Sequence, residues 1–156
     1  MLSMKLDKTD IAIIRELQAD GRQSNLALAE KVNLSPSPCL RRIRQLEEAG
    51  VIKGYAAVVD QQKYGLPLTL FVRITLKRHK RDVVDTFEAA IRALPEVIEC
   101  HLLTGSADYL LRVMAASLQD YERFMREEIH EIPGVSAIDT SFSLMQVKDS
   151  RVFRKP

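Results

Sequence analysis

Ser35–Leu46 reads SPSPCLRRIRQL, and the reading of this stretch decides the first half of the chain. Pro36 and Pro38 fall where a helix begins, since a first-turn N–H has no intrahelical partner to lose, so Ser35 or Ser37 starts a helix here. At about 100° per residue, Cys39, Leu40, Ile43 and Leu46 gather on one side. Ser37, Arg41, Arg44 and Gln45 point the other way, with Arg42 on the flank. Three arginines and no acid in this window make a local positive field.

Upstream, two shorter helices are expected. Asp7 caps the first, Asp10 completes a capping box, and Leu6 against Ile11 makes a hydrophobic staple. Ile14 and Leu17 continue the apolar side, and Gly21 supplies the stop. Ser24 caps the second, which buries Leu28, Ala29 and Val32 and is over by Asn33. Asn33-Leu34-Ser35 then has the length of the turn in a helix-turn-helix. Downstream, Gly50 ends the third helix, and Val51–Asp60 (VIKGYAAVVD) reads as a strand or wing. This predicts a helix-turn-helix unit over 1–60 with a wing strand, a turn-rich linker over 61–67, a second domain over 68–150 and a tail over 151–156.

The bulk composition agrees with a folded chain and excludes little else. Of 156 residues 46% are hydrophobic and 28% charged, too apolar for a disordered chain. No run approaches the roughly 18 apolar residues of a bilayer helix, and the start, MLSMKLDKTD, is charged where a signal peptide has its apolar core. A cytoplasmic protein is expected, with no membrane partner. Net charge is only +2, but residues 1–64 hold ten Lys plus Arg against eight Asp plus Glu while the remainder is balanced, so the excess is N-terminal. Cys39 and Cys100 form no CxxC pair, and neither a zinc knuckle nor a redox motif is present.

Beyond Pro67 the pattern changes to strand, helix, strand, strand, helix, strand. Leu68, Leu70, Val72, Ile74 and Leu76 alternate with Thr69, Phe71, Arg73, Thr75 and Lys77. Val84, Phe87, Ile91 and Leu94 keep helical spacing up to Pro95. Val97–Thr104 and Tyr109–Ala115 are strand-like about a turn at 104–108. Ser117 and Asp120 cap a helix carrying Leu118, Tyr121, Met125 and Ile129, closed by Ile132-Pro133-Gly134, and Ile138–Val147 reads as the last strand. Two such units predict an α+β fold, a ferredoxin-like βαββαβ sandwich with helices on one face of its sheet. The other face, around Phe71 and Arg73, has no cover from this chain, which predicts homodimerisation.

Two blocks, DGRQSNLALAEKVNLSPSPCLRRIRQLEEAGVIKGYAAVVD and VIECHLLTGSADYLLRV, give the chain a close resemblance. It resembles the feast/famine, or Lrp/AsnC, family of bacterial and archaeal transcription regulators, and ECH-x-L-x-x-G is most like the leucine-responsive branch. The resemblance spans nearly the whole chain. It implies a DNA-binding helix-turn-helix domain, a linker and a ferredoxin-like domain that dimerises and assembles further, to octamers in many members, with a free amino acid as effector. Where many members carry an aromatic residue before the loop aspartate, this chain has Ala107.

The candidate DNA-contacting residues are Ser35, Ser37, Arg41, Arg42, Arg44 and Gln45. Arginine suits bidentate contact with guanine or a phosphate, and serines near a helix N-terminus suit phosphate oxygens. Which arginine reads a base is open. With the resemblance, the loop Gly105, Ser106 and Asp108 becomes an effector site, Asp108 offering a carboxylate to an ammonium group and the loop backbone its N–H groups to a carboxylate. Thr140 and Ser141 align with pocket residues of relatives. Lys77–Arg81 reads as a solvated basic turn. Glu99, His101 and Asp108 suggest a metal or acid/base cluster, against which polar residues at a subunit interface is the stronger reading. No GxxxxGK loop, GxSxG elbow or CxxC supports catalysis, so no cofactor and no enzyme activity are expected. An RNA-binding module shares the strand-helix order, but its aromatic run is missing from Tyr109–Val113.

Overall fold

The computed structural model describes residues 5–150, 152 and 153. The chain forms two compact units, one of residues up to Val58 together with those from Val147 on, the other Val59–Gln146. Of the expected tail 151–156, Arg151 and 154–156 lie outside the described residues, as do 1–4.

The first unit holds α1 (Lys8–Ala19), α2 (Asn25–Lys31) and α3 (Pro36–Glu48). Asp7 and Asp10 make the reciprocal capping box, each carboxylate accepting the other's backbone N–H at 2.8 and 3.0 Å. Gly21 does not act through a left-handed stop. α1 ends on extended Asp20, and an added Cβ at Gly21 would sit 3.3 Å from the Tyr55 ring, so the glycine leaves room for an aromatic neighbour. Asn33 bends the chain at φ 55° between α2 and α3, and Asn25 Nδ2 ties the two by donating to Pro36 O at 2.8 Å. Gly50, at φ 69°, closes α3 with a Schellman motif: Gly50 N–H bonds Glu47 O and Val51 N–H bonds Leu46 O. Ile13, Leu28, Ala29, Cys39, Ile43 and Leu46 form the core. Leu40 departs from expectation, for it is 37% exposed.

The wing strand is absent among the described residues. Lys53–Asp60 pairs with no neighbour, and Tyr55, Val58 and Val59 stay exposed; a strand exists only where a second one accepts its ladder. Tyr55 instead donates its hydroxyl to Glu47 at 2.9 Å, and burial together with that carboxylate pushes its phenol up to about 12. Over 61–67, Gln61 Nε2 donates to Leu66 O at 2.6 Å and Thr69 Oγ1 at 2.9 Å, which fastens this turn to the first strand.

The second unit runs β1 (Leu68–Leu76), α4 (Arg81–Ala93), β2 (Val97–Leu102), β3 (Tyr109–Ala115), α5 (Leu118–Phe124) and β4 (Val135–Phe142). The strands form one antiparallel sheet in the order β2-β3-β1-β4. Leu70, Val72 and Ile74 of β1 and Tyr109, Leu111 and Val113 of β3 face the helices and are buried, with Phe87, Ile91, Phe124 and Ile129 above them. Tyr109 stacks against Phe87 at 4.6 Å between ring centres and donates to Glu88 Oε1.

Two boundaries differ from expectation. β4 lies three residues earlier than 138 and ends at Phe142, its register with β1 running from Leu70 to Leu76 with one further bond from Ser143 N–H to Thr69 O; Leu144, Met145 and Val147 lie beyond this ladder and are exposed. α5 passes into a π-helical turn, Met125–Ile129, whose wider loop puts neighbours Phe124 and Met125 both into the core; Leu118, at the start of α5, is 49% exposed.

Candidate functional site

Two places hold the chemistry the sequence singles out, one on each unit. On α3, burial of Cys39, Ile43 and Leu46 turns Ser37, Arg41, Arg44 and Gln45 outward, and all four are exposed, as is Ser35 at the N-cap. Ser35 spends no side-chain bond on capping the helix, so its hydroxyl is left to other partners.

Arg42 is different. Its Nη1 reaches Asp10 Oδ1 at 2.7 Å and Asp7 Oδ2 at 2.8 Å, holding the N-terminus of α1 against α3, and the Asp10 side chain is only 4% exposed. A cation committed to a buried carboxylate is poorly placed to contact anything else, so Arg42 stands apart from Arg41 and Arg44. The Asp10 and Asp7 carboxylates both raise the guanidinium pKa. Asp7 is held below the usual carboxylate range, first by the Asp10 N–H and then by Arg42.

In the second unit Gly105 is exposed at φ 123°, and an added Cβ there meets nothing within 4 Å. A side chain at 105 would therefore be resisted by the backbone conformation and not by crowding. Asp108 is more constrained. Its Oδ2 accepts the Leu76 N–H at 2.7 Å and its Oδ1 lies 2.7 Å from His79 Nε2, while its own N–H donates to Ile74 O and its carbonyl accepts from Leu103. The Leu76 amide, and after it His79, keep this carboxyl below the usual range.

The structure does not gather the five effector candidates into one cluster within a chain. Thr140 pairs with Val72 and Ser141 with Phe71. Adjacent strand residues face opposite ways. Thr140 lies on the helix side, 2.6 Å from the Tyr121 hydroxyl, and Ser141 on the open side, where it accepts from Arg73 at 3.3 Å. Nor do Glu99, His101 and Asp108 meet: Glu99 pairs with Arg112 at 2.6 Å and His101 at 3.6 Å on the open face, while Asp108 turns to His79. Arg73 and Asp139 add a second ion pair, at 3.2 Å, on that face. Among the described residues no group of three or more His, Cys, Asp or Glu is placed to hold a metal, and no helix is long and apolar enough to cross a membrane. An open cleft of about 230 Å³ lined by Leu66, Met114, Tyr121, Phe124 and Glu127 includes none of the effector candidates.

The depressed carboxyls set a pH dependence. Asp7, Glu99 and Asp108 have folded pKa values below their unfolded ones, so each stabilises the fold at neutral pH and ceases to as pH falls below about 4 through the folded values. Urea midpoints are expected to be lower at pH 3 than at pH 7; a midpoint unchanged at pH 3 contradicts the assignment.

A helix-turn-helix with an outward basic face, in a chain that also holds an α+β domain, has the form of a DNA-binding regulator. Residues 6–53 match the winged helix-turn-helix DNA-binding model, and residues 69–153 match the Lrp/AsnC ligand binding domain. The chain belongs to the Lrp/AsnC family of transcriptional regulators. It is 43% identical over 145 residues to the leucine-responsive regulatory protein of Haemophilus influenzae, covering 93% of this chain and 87% of the relative. It is 40% identical over 147 residues to the transcriptional regulator AzlB of Bacillus subtilis, with 94% of each covered. The crystal structure of the transcriptional regulator NMB0573 from Neisseria meningitidis, a complex with L-Met, superposes with a TM-score of 0.92 at 39% identity, covering 96% of this chain and 97% of that one.

Proposed function

We propose that Ser35, Ser37, Arg41, Arg44 and Gln45 are the residues by which this regulator holds DNA, with α3 in the major groove and Arg42 serving the fold. The observation that carries this is the division of three neighbouring arginines: two exposed on the outward face of α3, one bound to Asp7 and Asp10. Replacing Arg41 and Arg44 together with alanine is expected to weaken binding about thirtyfold. It should also lower the log–log salt slope by about 1.8, each phosphate neutralised contributing about 0.9. A gel-shift titration at several salt concentrations checks both; unchanged slope and affinity remove the two residues from the interface.

The effector is a free amino acid, bound at the Gly105–Asp108 loop with its ammonium on Asp108. Support comes from the loop's chemistry and from the relatives, one named leucine-responsive and one solved with L-Met. Ser141, on the open face, joins that site across a subunit boundary, while Thr140 faces the helices beside Tyr121. Copies pair through the open face around Phe71 and Arg73 and assemble further, to an octamer, in the cytoplasm. Phe71→Glu sets a charge in the middle of that face and should move the full chain towards monomer in sedimentation. Calorimetry against the twenty amino acids tests the effector: millimolar or tighter binding of at least one is expected, weakened about tenfold or more by Asp108→Asn through the lost charge-assisted bond.

A further inference from the structure

We propose that the turn between β1 and α4 is a second DNA-contacting surface, on the ligand-binding unit, where Lys77, Arg78 and Lys80 hold phosphates of the bound duplex. It adds to the contacts assigned to α3 and does not depend on them.

The second unit neutralises its own cations everywhere except at this turn. Lys63, Arg73, Arg92, Arg112, Arg123 and Arg126 each have a carboxylate partner, at 2.5 to 3.8 Å. Arg81, at the start of α4, reaches Asp85 at 3.6 Å. Lys77, Arg78 and Lys80 are exposed, and among the described residues their side chains have no ion-pair or hydrogen-bond partner. Asp108, the carboxylate that does reach the turn, is taken by the Leu76 amide and by His79. The division is the one that separates Arg41 and Arg44 from Arg42 on α3: cations that serve the fold are paired, and cations that face a polyanion are not.

The fold gains nothing from these charges. Lys80 is the N-cap of α4 and makes no side-chain bond to it, and Arg81 is the first helical residue. Cations thus stand at the end of a helix where the macrodipole favours anions, so the stabilising partner of these charges lies outside the chain. A duplex supplies it. The run 77–80 spans at most about 14 Å, and over that length a duplex displays about eight phosphates, enough for each of three cations to meet one. The acid-rimmed cleft of a second copy is a poorer partner, because its Asp120 and Glu127 are already paired with Arg123 and Arg126. Contacts to phosphate position a duplex without reading its bases, so the turn adds affinity and no sequence preference.

The experiment titrates the full chain with a random-sequence duplex of about 100 base pairs at several salt concentrations. Wild type is compared with a turn variant, Lys77→Gln with Arg78→Gln and Lys80→Gln, and with a control, Lys63→Gln with Arg123→Gln and Arg126→Gln, that loses the same number of positive charges. The turn variant is expected to bind about tenfold more weakly or worse, with the log–log salt slope reduced by about 2.7, while the control keeps the wild-type slope. Sedimentation of the turn variant without DNA should match wild type. In the wild type, DNA should protect Lys77 and Lys80 from acetylation and leave Lys63 reactive, a readout that needs no variant to fold. An unchanged slope in the turn variant, an equal drop in the control, or Lys77 and Lys80 acetylated alike with and without DNA overturns the proposal. So does weaker binding accompanied by altered sedimentation, which would assign the turn to contact between copies. Arg41 and Arg44 are intact in every protein compared, so failure here leaves the α3 reading standing, and failure of that reading leaves this result unaffected.

Discussion

Gly134→Ala is expected to destabilise the second unit by about 3 to 4 kcal/mol, the largest single effect foreseen for this chain. Two separate costs combine. The residue sits at φ 94°, a conformation that a Cβ makes unfavourable by roughly 1 to 2 kcal/mol. The added methyl group also meets Val83 Cγ1 of α4 well inside van der Waals contact, and a β-branched side chain packed on the core has little freedom to yield. Overpacking of this kind costs roughly 1 to 3 kcal/mol. Retreat of the backbone is resisted too, since Gly134 O accepts the Lys77 N–H at 2.7 Å. Scanning calorimetry with two transitions, one per unit, should show only one of them lowered. Adding Val83→Ala should recover the share due to the clash and leave the share due to φ. A Gly134→Ala protein as stable as wild type contradicts both terms.

Arg42→Ala should cost the first unit about 2 to 3 kcal/mol. The substitution leaves Asp10 as a buried carboxylate with the Asp7 N–H as its remaining partner, and an orphaned buried charge is more expensive than the pair was worth. Arg42→Lys should recover part, since it keeps the charge on a shorter stem with differently directed donors and so need not bring one nitrogen to both carboxylates as Arg42 Nη1 does. Replacing Asp10 and Arg42 together with apolar residues should recover more than either single change predicts. The same variants separate a folding role from a DNA role. At a temperature where Arg42→Ala remains folded, its salt slope for DNA should equal that of wild type, whereas loss of a phosphate contact would lower it by about 0.9.

Features written in neighbouring residues were legible before any coordinates. The Asp7–Asp10 box, the Ser24 and Ser117 caps, the alternation of β1, and the proline-led start of α3 all rest on contacts within a few positions, which spacing reports directly. What escaped depends on partners far along the chain or on register. Arg42 finds its carboxylates 32 and 35 residues upstream, so counting charges within one window could not tell it from Arg41 and Arg44. His79 meets Asp108 across 29 residues and read only as one member of a basic turn. Thr140 and Ser141 looked like one pair of site residues until the alternation of β4 set them on opposite faces. The apolar residues after Phe142 extended β4 on paper because hydrophobicity gives no notice of where pairing with the neighbouring strand ends. The π-helical turn has no signature in residue spacing, since Met125 and Ile129 fit an ordinary helix as well.

The anchoring of Asp108 also has a mechanical side. The carboxylate is bolted to the last amide of β1, and β1 is the spine of the sheet, registered against seven residues of β3 and seven of β4. A force applied at that post first meets the break in register between Thr75 and Leu76 against β4, and beyond it a close-packed layer that jumps between arrangements and does not stretch. The load passes along β1 into both neighbours at once, so the plate turns as one piece. Any large deformation is left to the hinges around it, the Lys77–Lys80 turn and the loop 103–107.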